Sequence, residues 1–388
     1  MKVVLAQNVS LEGHLALSTY LRSIGKYLAR KEEIELYLVV QGPGGSLKGL
    51  APGRVRCIES DTYSLRGNAI YAWKLYRELC ELHARSRIEV IHCLYPNSSL
   101  QAAALFKLTR APGARIVYDL RSPWIEASVE RLSLGREASL YRRMAYASES
   151  ILSRCVDAYI FITRGLKAVY EERLGKRMEP SLIIPSGVDL DIFTPRDRTA
   201  MRERLGFEDE EVVIGYVGVL SRERELDFAL RALRELRARS GRYRLLLVGD
   251  GDDRRRLQGE AAEMGLKDAA LFAGRVDYGD VPSYISACDF GLCHLPDTLF
   301  FRQSFPMKVL EYAACGVPVL ASRIRAHEEI AEELPLILYS TSSPAHLAEA
   351  VTRHEGRTGE VAEPVRRYGW EVIADELCAA YRMAAGKG

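Results

Sequence analysis

Long apolar runs are missing from this sequence of 388 residues, and nothing in it approaches the roughly 18 consecutive apolar residues of a membrane-spanning helix. The eight cysteines form no CxxC pair and lie mostly in apolar segments. We therefore interpret them as reduced core residues of a cytoplasmic protein. Low-complexity tracts are also missing, and the first residues turn polar too soon for a signal peptide.

What is present suits a soluble globular protein, with 48% hydrophobic and 27% charged residues. The length favours two domains over one compact core. The net charge of +2 is divided unevenly, because residues 1–185 carry +9 and the remainder carries −7. Either this is drift in surface composition, or the basic half meets an anionic partner such as a membrane surface or a phosphorylated acceptor.

Short apolar runs alternate with amphipathic, helix-like stretches from end to end. The strands predicted in the first half are 2–6, 34–40, 90–94, 115–120, 158–163 and 182–185. Those predicted in the second half are 212–219, 243–248, 271–273, 290–293 and 317–321. Strand–helix alternation that occurs twice predicts two parallel-sheet domains with helices on both faces of each sheet.

Turn-forming residues at 184–189 follow a short strand and mark the predicted domain boundary. The predicted domains are therefore 1–185 and 186–369. The last helical stretch, 370–388, is predicted to cross back to the first domain. Because open parallel sheets bind ligands at the carboxyl ends of their strands, two such sheets facing each other would form a central cleft.

Two glycine turns in the second half are candidates for close approach to a ligand. After one strand, Gly218 precedes Arg222 and Arg224, whose guanidinium groups suit phosphate oxygens near a helix start. A charged surface loop is the alternative interpretation. After the next strand, Gly249 and Gly251 open space, and we interpret the carboxylates beside them as helix-start residues rather than metal ligands.

A third segment, 303–319, runs from a loop into a helix and then through a glycine into a buried strand. The amides of 305–309 would be the free N–H groups of a helix start, where a diphosphate binds well. Glu311 is then placed to accept hydrogen bonds from both hydroxyls of a ribose. The alternative for Glu311 is an ordinary exposed helix carboxylate.

The order and spacing of these segments resemble the retaining glycosyltransferases of family 4, a GT-B group that uses nucleotide-activated sugars. The resemblance covers most of the chain and is most specific in Pro-Met-Lys at 306–308, Glu-Tyr at 311–312 and Gly-Val-Pro-Val at 316–319. Ile-Pro-Ser-Gly-Val-Asp at 184–189 and Val-Gly-Asp-Gly at 248–251 also fit. It implies an α/β fold of the GT-B type, with two Rossmann-like domains facing a central cleft. The first domain would bind the acceptor and the second the nucleotide sugar.

The resemblance also implies roles for individual residues. Glu311 fits the position that binds the ribose, while Gln303 stands where the family has another glutamate. Arg224 fits the position of a usual lysine, but Val219 replaces a usual arginine. Positions 275–276 would meet the nucleobase. The implied donor site comprises Gly13, Gly218, Gly249, Gly251, Arg275, Val276, Gln303, Ser304, Phe305, Pro306, Met307, Lys308, Val309 and Glu311.

The first half matches less well. Gly13 lies where the family has a glycine-rich loop, and 121–124 resemble an Arg-Asp-x-Trp pattern with Ser122 in place of the acid. His92 lies at a strand end, and the alternative to a role in ligand binding is that it is a core histidine whose hydrogen bonds are satisfied. For His14, the alternative to a ligand contact is an ordinary helix-start residue. The catalytic candidates are Arg224, Arg222, Arg121 and Asp119. The acceptor-binding candidates are His14, His92 and Trp124.

The chemistry that the resemblance implies is transfer with retention at the anomeric carbon, in which the leaving diphosphate takes the acceptor proton. Arginines and amides would stabilise that diphosphate, so neither a metal nor a cofactor is expected, and a UDP-sugar is preferred over a GDP- or ADP-sugar. The expected acceptor is a glycan, a lipid-linked sugar or a small molecule, and no nucleic acid is expected.

Some alternatives remain. The arginine-bearing helix at 137–153 either lies on the anionic inner face of the membrane or is an ordinary packed helix. A non-catalytic homologue that binds a nucleotide sugar or a partner subunit, and an epimerase on the same architecture, are the rival functions. A paired-carboxylate glycosidase is disfavoured.

Overall fold

The computed structural model describes residues 1–11, 16–42, 47, 49–51, 53–60, 64–95, 97–131, 138–357 and 363–386. The chain divides into two compact units. The first consists of Met1–Ser186 and Trp370–Gly388, and the second of Gly187–Gly369. Each unit contains one fully parallel sheet with helices packed against it. The candidates Gly13 and His14 lie outside the described residues.

The first sheet has seven strands in the order β3-β2-β1-β4-β5-β6-β7. The strands are β1 (Lys2–Ser10), β2 (Glu35–Gln41), β3 (Val55–Ile58), β4 (Val90–Leu94), β5 (Arg115–Leu120), β6 (Ala158–Phe161) and β7 (Ser181–Ile183). The helices are α1 (Ala16–Leu28), α2 (Leu65–Arg85), α3 (Ser98–Thr109), α4 (Trp124–Arg131), α5 (Ala138–Leu152) and α6 (Arg164–Leu174). The strand order reverses between β1 and β4, which is where such sheets bind ligands.

The second sheet has six strands in the order β10-β9-β8-β11-β12-β13, and it reverses between β8 and β11. The strands are β8 (Val212–Val217), β9 (Tyr243–Val248), β10 (Ala270–Gly274), β11 (Phe290–Cys293), β12 (Val319–Ser322) and β13 (Leu336–Tyr339). The helices are α7 (Arg198–Leu205), α8 (Asp227–Arg239), α9 (Arg254–Glu263), α10 (Val281–Ser286), α11 (Leu299–Arg302), α12 (Met307–Ala314), α13 (Arg325–Ala331) and α14 (Pro344–His354).

The last helix, α15 (Trp370–Ala384), belongs to the first unit, where it packs against α1, β5 and β6. Its buried residues recur every three or four positions, which gives the helix one apolar face. They include Trp370, Ile373, Leu377 and Tyr381, all of which lie in the first unit's core. This helix therefore completes the core of the unit in which the chain begins.

The two α/β sheets predicted from the alternation of apolar runs are confirmed, and β4, β5, β9 and β11 have the predicted bounds. Strands β3 and β13 were not predicted. Both are four-residue strands at a sheet edge, and an edge strand pairs on one side only. Among the described helices, none is both long and apolar enough to cross a bilayer.

Candidate functional site

Three neighbouring strands of the second sheet end at a glycine in the left-handed region of φ. These are Gly218 after β8 (146°), Gly249 after β9 (133°) and Gly274 in β10 (75°). The amide of Gly218 donates to the carbonyl of Val248 at 2.9 Å, and that of Gly249 donates to the carbonyl of Gly274 at 2.8 Å. A Cβ on Gly249 would lie 2.0 Å from the carbonyl oxygen of Gly218. The three strand ends are therefore in direct main-chain contact, which leaves no room for a side chain at Gly249.

Lys308, in the first turn of α12, lies against the end of β8. Its Nζ is 3.7 Å from the centroid of the Tyr216 ring, and a Cβ on Gly218 would lie 3.0 Å from the same atom. A cation over the face of an aromatic ring is electrostatically attracted to it. The structure thus brings the first and third candidate segments together, with an ammonium group beside a bare glycine.

Glu311 lies one turn after Lys308 on α12 and is half-buried. Burial raises the pKa of its carboxyl group to about 7, and the charge of Lys308 acts in the opposite direction. Among the described residues, no donor forms a hydrogen bond with this carboxylate. Its oxygens are therefore available to accept hydrogen bonds from a ligand.

The two arginines of the candidate phosphate loop differ in their surroundings. Arg224 is half-buried, with its guanidinium carbon 4.9 Å from the centroid of the Phe301 ring. Arg222 is 78% exposed, and its Nε lies 3.7 Å from the Asp253 carboxylate. That carboxylate is already bound at 2.5 Å by Arg256. The side chain of Arg224 is consequently more restrained by its surroundings than that of Arg222.

The charges of Lys308, Arg224 and Glu311 all act on the side chain of Cys293, the last residue of β11. Burial raises the pKa of its thiol to about 11, Lys308 and Arg224 lower it, and Glu311 raises it. Two cations and one carboxylate therefore lie within electrostatic range of the carboxyl end of β11, beside the point where the strand order reverses.

The start of α12 provides unbonded amides at the same place. In the described part of the chain, the N–H groups of Phe305, Met307 and Lys308 have no acceptor, as expected for a helix start. The amide of Val309 is not available, because it donates to the carbonyl of Pro306 at 3.1 Å. Three of the amides predicted to hold a diphosphate are thus free to do so.

The other donor candidates lie around this cluster. Ser304 donates its hydroxyl to the carbonyl of Phe301 at 2.9 Å, and Phe305 stacks on Tyr368 with ring centroids 5.9 Å apart. Gln303 is buried at the end of α11. Arg275 is exposed and Val276 is half-buried, directly after Gly274.

Two buried histidines near this cluster, His327 and His294, were not predicted. His327 Nδ1 donates to the carbonyl of Ser322 at 2.7 Å, so its Nε2 accepts from the Cys293 thiol at 3.2 Å. Burial lowers the pKa of His327 to about 4 and that of His294 to about 3, so both rings are neutral. His294 bonds to the hydroxyl of Tyr339 at 2.8 Å. No sequence motif marks these histidines as partners.

In the first unit, the catalytic candidates Asp119 and Arg121 form a buried ion pair, with Arg121 Nε 3.0 Å from Asp119 Oδ2. The same oxygen accepts from the Tyr20 hydroxyl and from His92 Nε2, both at 3.2 Å. Burial raises the pKa of Asp119, but Arg121 and His92 outweigh it and hold the value below normal. Because the carboxylate is ionised, Nε2 of His92 carries a proton, and Nδ1 lies 2.7 Å from the hydroxyl of Tyr381.

This buried network contacts both points at which the chain passes from one unit to the other. Arg121 Nη1 donates to the hydroxyl of Ser186, the last residue before the second unit, at 3.4 Å. The Tyr20 ring packs edge-on against Trp370, the first residue of the returning helix, at 5.6 Å. The acceptor candidate Trp124 is also buried, at the start of α4. The sequence pointed to Asp119, Arg121 and His92, but not to Tyr20, Ser186 or Tyr381 as their partners.

Replacing Arg121 with methionine is expected to destabilise the first unit by about 3–5 kcal/mol, because it leaves the Asp119 carboxylate buried without its cation. Urea unfolding of the full chain measures this loss. The double variant Asp119→Asn/Arg121→Met removes both charges and should recover part of the stability. If Arg121→Met unfolds like the native chain and loses only activity, the ion pair is catalytic rather than structural.

Comparison with known proteins bears on both units. Residues 17–192 match the family described as Glycosyltransferase Family 4, and residues 197–362 match Glycosyl transferases group 1. A D-inositol 3-phosphate glycosyltransferase of Stackebrandtia nassauensis is 30% identical over 226 residues, covering 51% of this chain and 48% of that protein. The chain spans about half the length of the first curated relatives that it matches.

Two further similarities extend over more of the chain. The GDP-mannose-dependent alpha-(1-6)-phosphatidylinositol monomannoside mannosyltransferase of Mycolicibacterium smegmatis is 28% identical over 66% of this chain and 72% of that protein. The structure of sucrose-phosphate synthase from Thermosynechococcus elongatus covers 100% of both chains with a TM-score of 0.74, at 20% identity. The chain therefore carries a Glycosyltransferase Family 4 domain and a Glycosyl transferases group 1 domain, on the two parallel-sheet units of the GT-B glycosyltransferase fold.

Proposed function

We propose that this protein transfers a sugar from a nucleotide-sugar donor to an acceptor hydroxyl, with the donor bound at the carboxyl ends of β8 to β11. The observation that carries the proposal is the position of Lys308 beside Gly218 and the Tyr216 ring, with Glu311 one turn further along α12 and free amides at the start of that helix. The charge of Arg224 acts on Cys293 together with those of Lys308 and Glu311. Two cations and a helix start suit a diphosphate, and an unpartnered carboxylate suits the hydroxyls of a ribose.

In this proposal the protein assists transfer mainly by stabilising the leaving diphosphate and not by supplying a nucleophile. Arg224, Lys308 and the amides of Phe305 and Met307 would hold the charge that develops on the diphosphate as the glycosidic bond breaks. The acceptor hydroxyl attacks the anomeric carbon from the same face and gives its proton to the departing diphosphate. Retention of configuration is therefore the proposed outcome, without a metal ion or a cofactor.

The proposed donor is a UDP-sugar, and the relatives widen the set of substrates to test. One relative is named as GDP-mannose-dependent and acts on a phosphatidylinositol mannoside, and another is named for inositol 3-phosphate. Phosphorylated inositols and lipid-linked sugars thus belong among the first acceptors to assay. The acceptor is proposed to bind at the first unit, where the charge of residues 1–185 is +9.

One observation favours a second function, the binding of a nucleotide sugar without transfer. Gln303 is an uncharged residue at the position where the family pattern has a glutamate, and it is buried beside the donor cluster. An amide can hydrogen-bond sugar hydroxyls but supplies no charge to the transition state. Binding with no detectable transfer to any acceptor would support this alternative.

The decisive experiment is a thermal-shift panel of UDP, GDP, ADP and their common sugar conjugates, without metal. A ligand that binds only the native state raises its stability, by about 2.7 kcal/mol at 100 times its Kd. A clear shift with one nucleotide identifies the base and directs the acceptor assays, in which NMR of the product gives the anomeric configuration. The absence of a shift with every nucleotide, on folded protein, would refute the donor site.

The affinity for the nucleotide sugar is expected to rise with pH up to about 7 and then level off. Burial raises the pKa of Glu311 to about 7 in the free protein, and ribose hydroxyls donate to the ionised form. Below pH 7, each further decrease of one pH unit therefore lowers the affinity for the nucleotide sugar by up to about tenfold. Sugar conjugates are the right ligands, because their diphosphate does not titrate in this range.

The matched variant for this test is Glu311→Gln, which keeps the shape of the side chain and removes the titration. Isothermal titration between pH 5.5 and 8.5 should show weaker binding that no longer varies with pH. A native chain whose affinity is flat across the range, or a variant that follows the native curve, would remove Glu311 from the ribose site.

A further inference from the structure

The five most exposed large apolar side chains in the described part of the protein all lie on three helices of the first unit. Each is between 59% and 71% exposed, and two neighbours on the same helices, Ile70 and Leu105, are also exposed. The five are Trp73 on α2, Leu108 on α3, and Leu140, Met144 and Ile151 on α5. Large apolar side chains at this exposure, gathered in one region, mark an interaction site.

These side chains share one surface because the three helices are neighbours. Helix α3 packs against both α2 and α5. The hydroxyl of Tyr76 on α2 lies 3.2 Å from that of Thr109 on α3, which fixes the two helices side by side. On α5, the spacing of Leu140, Met144 and Ile151 places all three on one helix face. We refer to the exposed residues of these helices and of the segments directly after them as the α2–α3–α5 surface.

The exposed charges on this surface have almost a single sign. Among the residues of this surface that the structure describes, Glu81 is the one exposed acidic residue. Eight basic residues are exposed, and they are Arg66, Lys74, Arg77, Arg85, Arg87, Arg110, Arg143 and Arg154. Apolar side chains interleaved with cations are the combination that binds at the interface of an anionic bilayer.

We propose that the α2–α3–α5 surface docks on an anionic lipid bilayer, with its apolar side chains entering the boundary between headgroups and acyl chains. Trp73, stacked on Tyr76 at 5.8 Å, supplies the aromatic pair that favours this depth. A second copy of the chain is a poorer occupant, because a two-fold contact through this face would set eight cations against eight cations. The proposal does not depend on the sugar transfer, so either can fail without the other.

Tryptophan fluorescence tests the docking directly on the full chain. Trp73 is exposed, whereas the other two tryptophans, Trp124 and Trp370, are buried. Vesicles of brominated phosphatidylglycerol and phosphatidylcholine should quench the native emission, and Trp73→Phe should lose most of that quenching. Vesicles of phosphatidylcholine alone should quench weakly, and salt should reduce binding to the anionic vesicles. Binding that is equal on both vesicles, or absent from both, would overturn the proposal.

Charge variants give the second arm, read by co-sedimentation with the same vesicles. Each basic residue near an anionic surface contributes about fivefold to partitioning, so Arg143→Gln/Arg154→Gln should bind about 25-fold more weakly. The matched control is Arg234→Gln/Arg239→Gln, two exposed arginines on α8 of the second unit, which should bind like the native chain.

Apolar variants complete the design. Leu108→Ser/Met144→Ser should also weaken vesicle binding, whereas Val372→Ser, an exposed apolar position on α15, should not. Light scattering in the absence of lipid gives the oligomeric state of each protein. A native dimer that the Leu108→Ser/Met144→Ser variant dissolves would overturn the assignment to lipid, because the surface would then be covered by a second copy.

Discussion

Replacing Gly249 with alanine is expected to destabilise the second unit by roughly 4 kcal/mol or more, a large fraction of the about 5–15 kcal/mol by which a typical domain is stable. The new Cβ would lie 2.0 Å from the carbonyl oxygen and 2.9 Å from the carbonyl carbon of Gly218. Both atoms belong to the main chain at the end of β8, so no rotation of a side chain can relieve the contact. The backbone of Gly249 also has a φ of 133°, which side-chain-bearing residues rarely adopt.

The same packing recurs two residues later. A Cβ on Gly251 would lie 2.1 Å from the carbonyl oxygen of Leu220, whose amide in turn donates to the carbonyl of Asp250 at 3.0 Å. The loop after β9 is therefore held against the loop after β8 by main-chain contacts at two points. This arrangement positions Gly218, next to which Lys308 lies, so loss of the packing should remove both the fold of the unit and the proposed donor site.

Gly259 offers a matched control for the glycine prediction. It lies within α9, and a Cβ added there would meet nothing within 4 Å. Gly259→Ala should therefore stabilise the protein by about 0.5–1 kcal/mol, because alanine is the better helix former. Thermal and urea unfolding of the two variants should give shifts of opposite sign. A Gly249→Ala protein as stable as the native chain would contradict the main-chain packing described for these loops.

The sequence was sufficient to predict the parallel sheets because buried parallel strands are continuous apolar runs, as in Val212–Val217 and Phe290–Cys293. It was insufficient for two of the four edge strands, β3 and β13. Val55–Ile58 contains an arginine and is mostly half-exposed, so it lacks the apolar signal of a central strand. Leu336–Tyr339 is more apolar but only four residues long, with a single strand beside it. Edge strands are specified by their partner as much as by their own residues.

The candidate site likewise contains some features that the sequence can predict and others that depend on the fold. Gly218, Lys308 and Glu311 were selected from the glycine turn, the helix start and the resemblance to family 4, all of which are patterns of neighbouring residues. Which residues lie against them depends on the fold, and the ring of Tyr216 under Lys308 could not be read from any motif. The hydrogen bond between His92 and Tyr381 joins residues 289 positions apart. Contacts of that separation follow from the return of α15 to the first unit, not from local sequence.

The basic helix at 137–153 shows what the structure adds to a sequence hypothesis. The sequence left open whether its arginines served a membrane surface or were merely solvated. Its apolar residues Leu140, Met144 and Ile151 are exposed rather than packed, and α3 extends the same surface to Trp73 on α2. Part of the positive charge of the first half of the chain therefore lies on the α2–α3–α5 surface, and the vesicle experiment tests what that surface binds.

Arg224→Ala is expected to lower kcat by about 100- to 1000-fold once a donor and an acceptor are identified, which is the usual effect of removing one group that stabilises transition-state charge. Arg224 is half-buried and held against Phe301, so its position is fixed before the donor binds. Its charge reaches Cys293, as do those of Lys308 and Glu311, which places it within the donor cluster. In the proposed reaction, a cation held in this way would act on the diphosphate without reorganising.

Arg222→Ala is the matched comparison, because the two arginines lie two residues apart in one turn, Arg222–Arg224. Arg222 is 78% exposed and its partner carboxylate is shared with Arg256, so we expect its loss to change kcat by no more than about threefold. Steady-state kinetics with saturating donor separate the two variants, and nucleotide binding to each shows whether the effect lies in binding or in the chemical step. If Arg222→Ala proves the slower enzyme, the exposed arginine must move onto the diphosphate when the donor binds, and the fixed position of Arg224 would not be what catalysis uses.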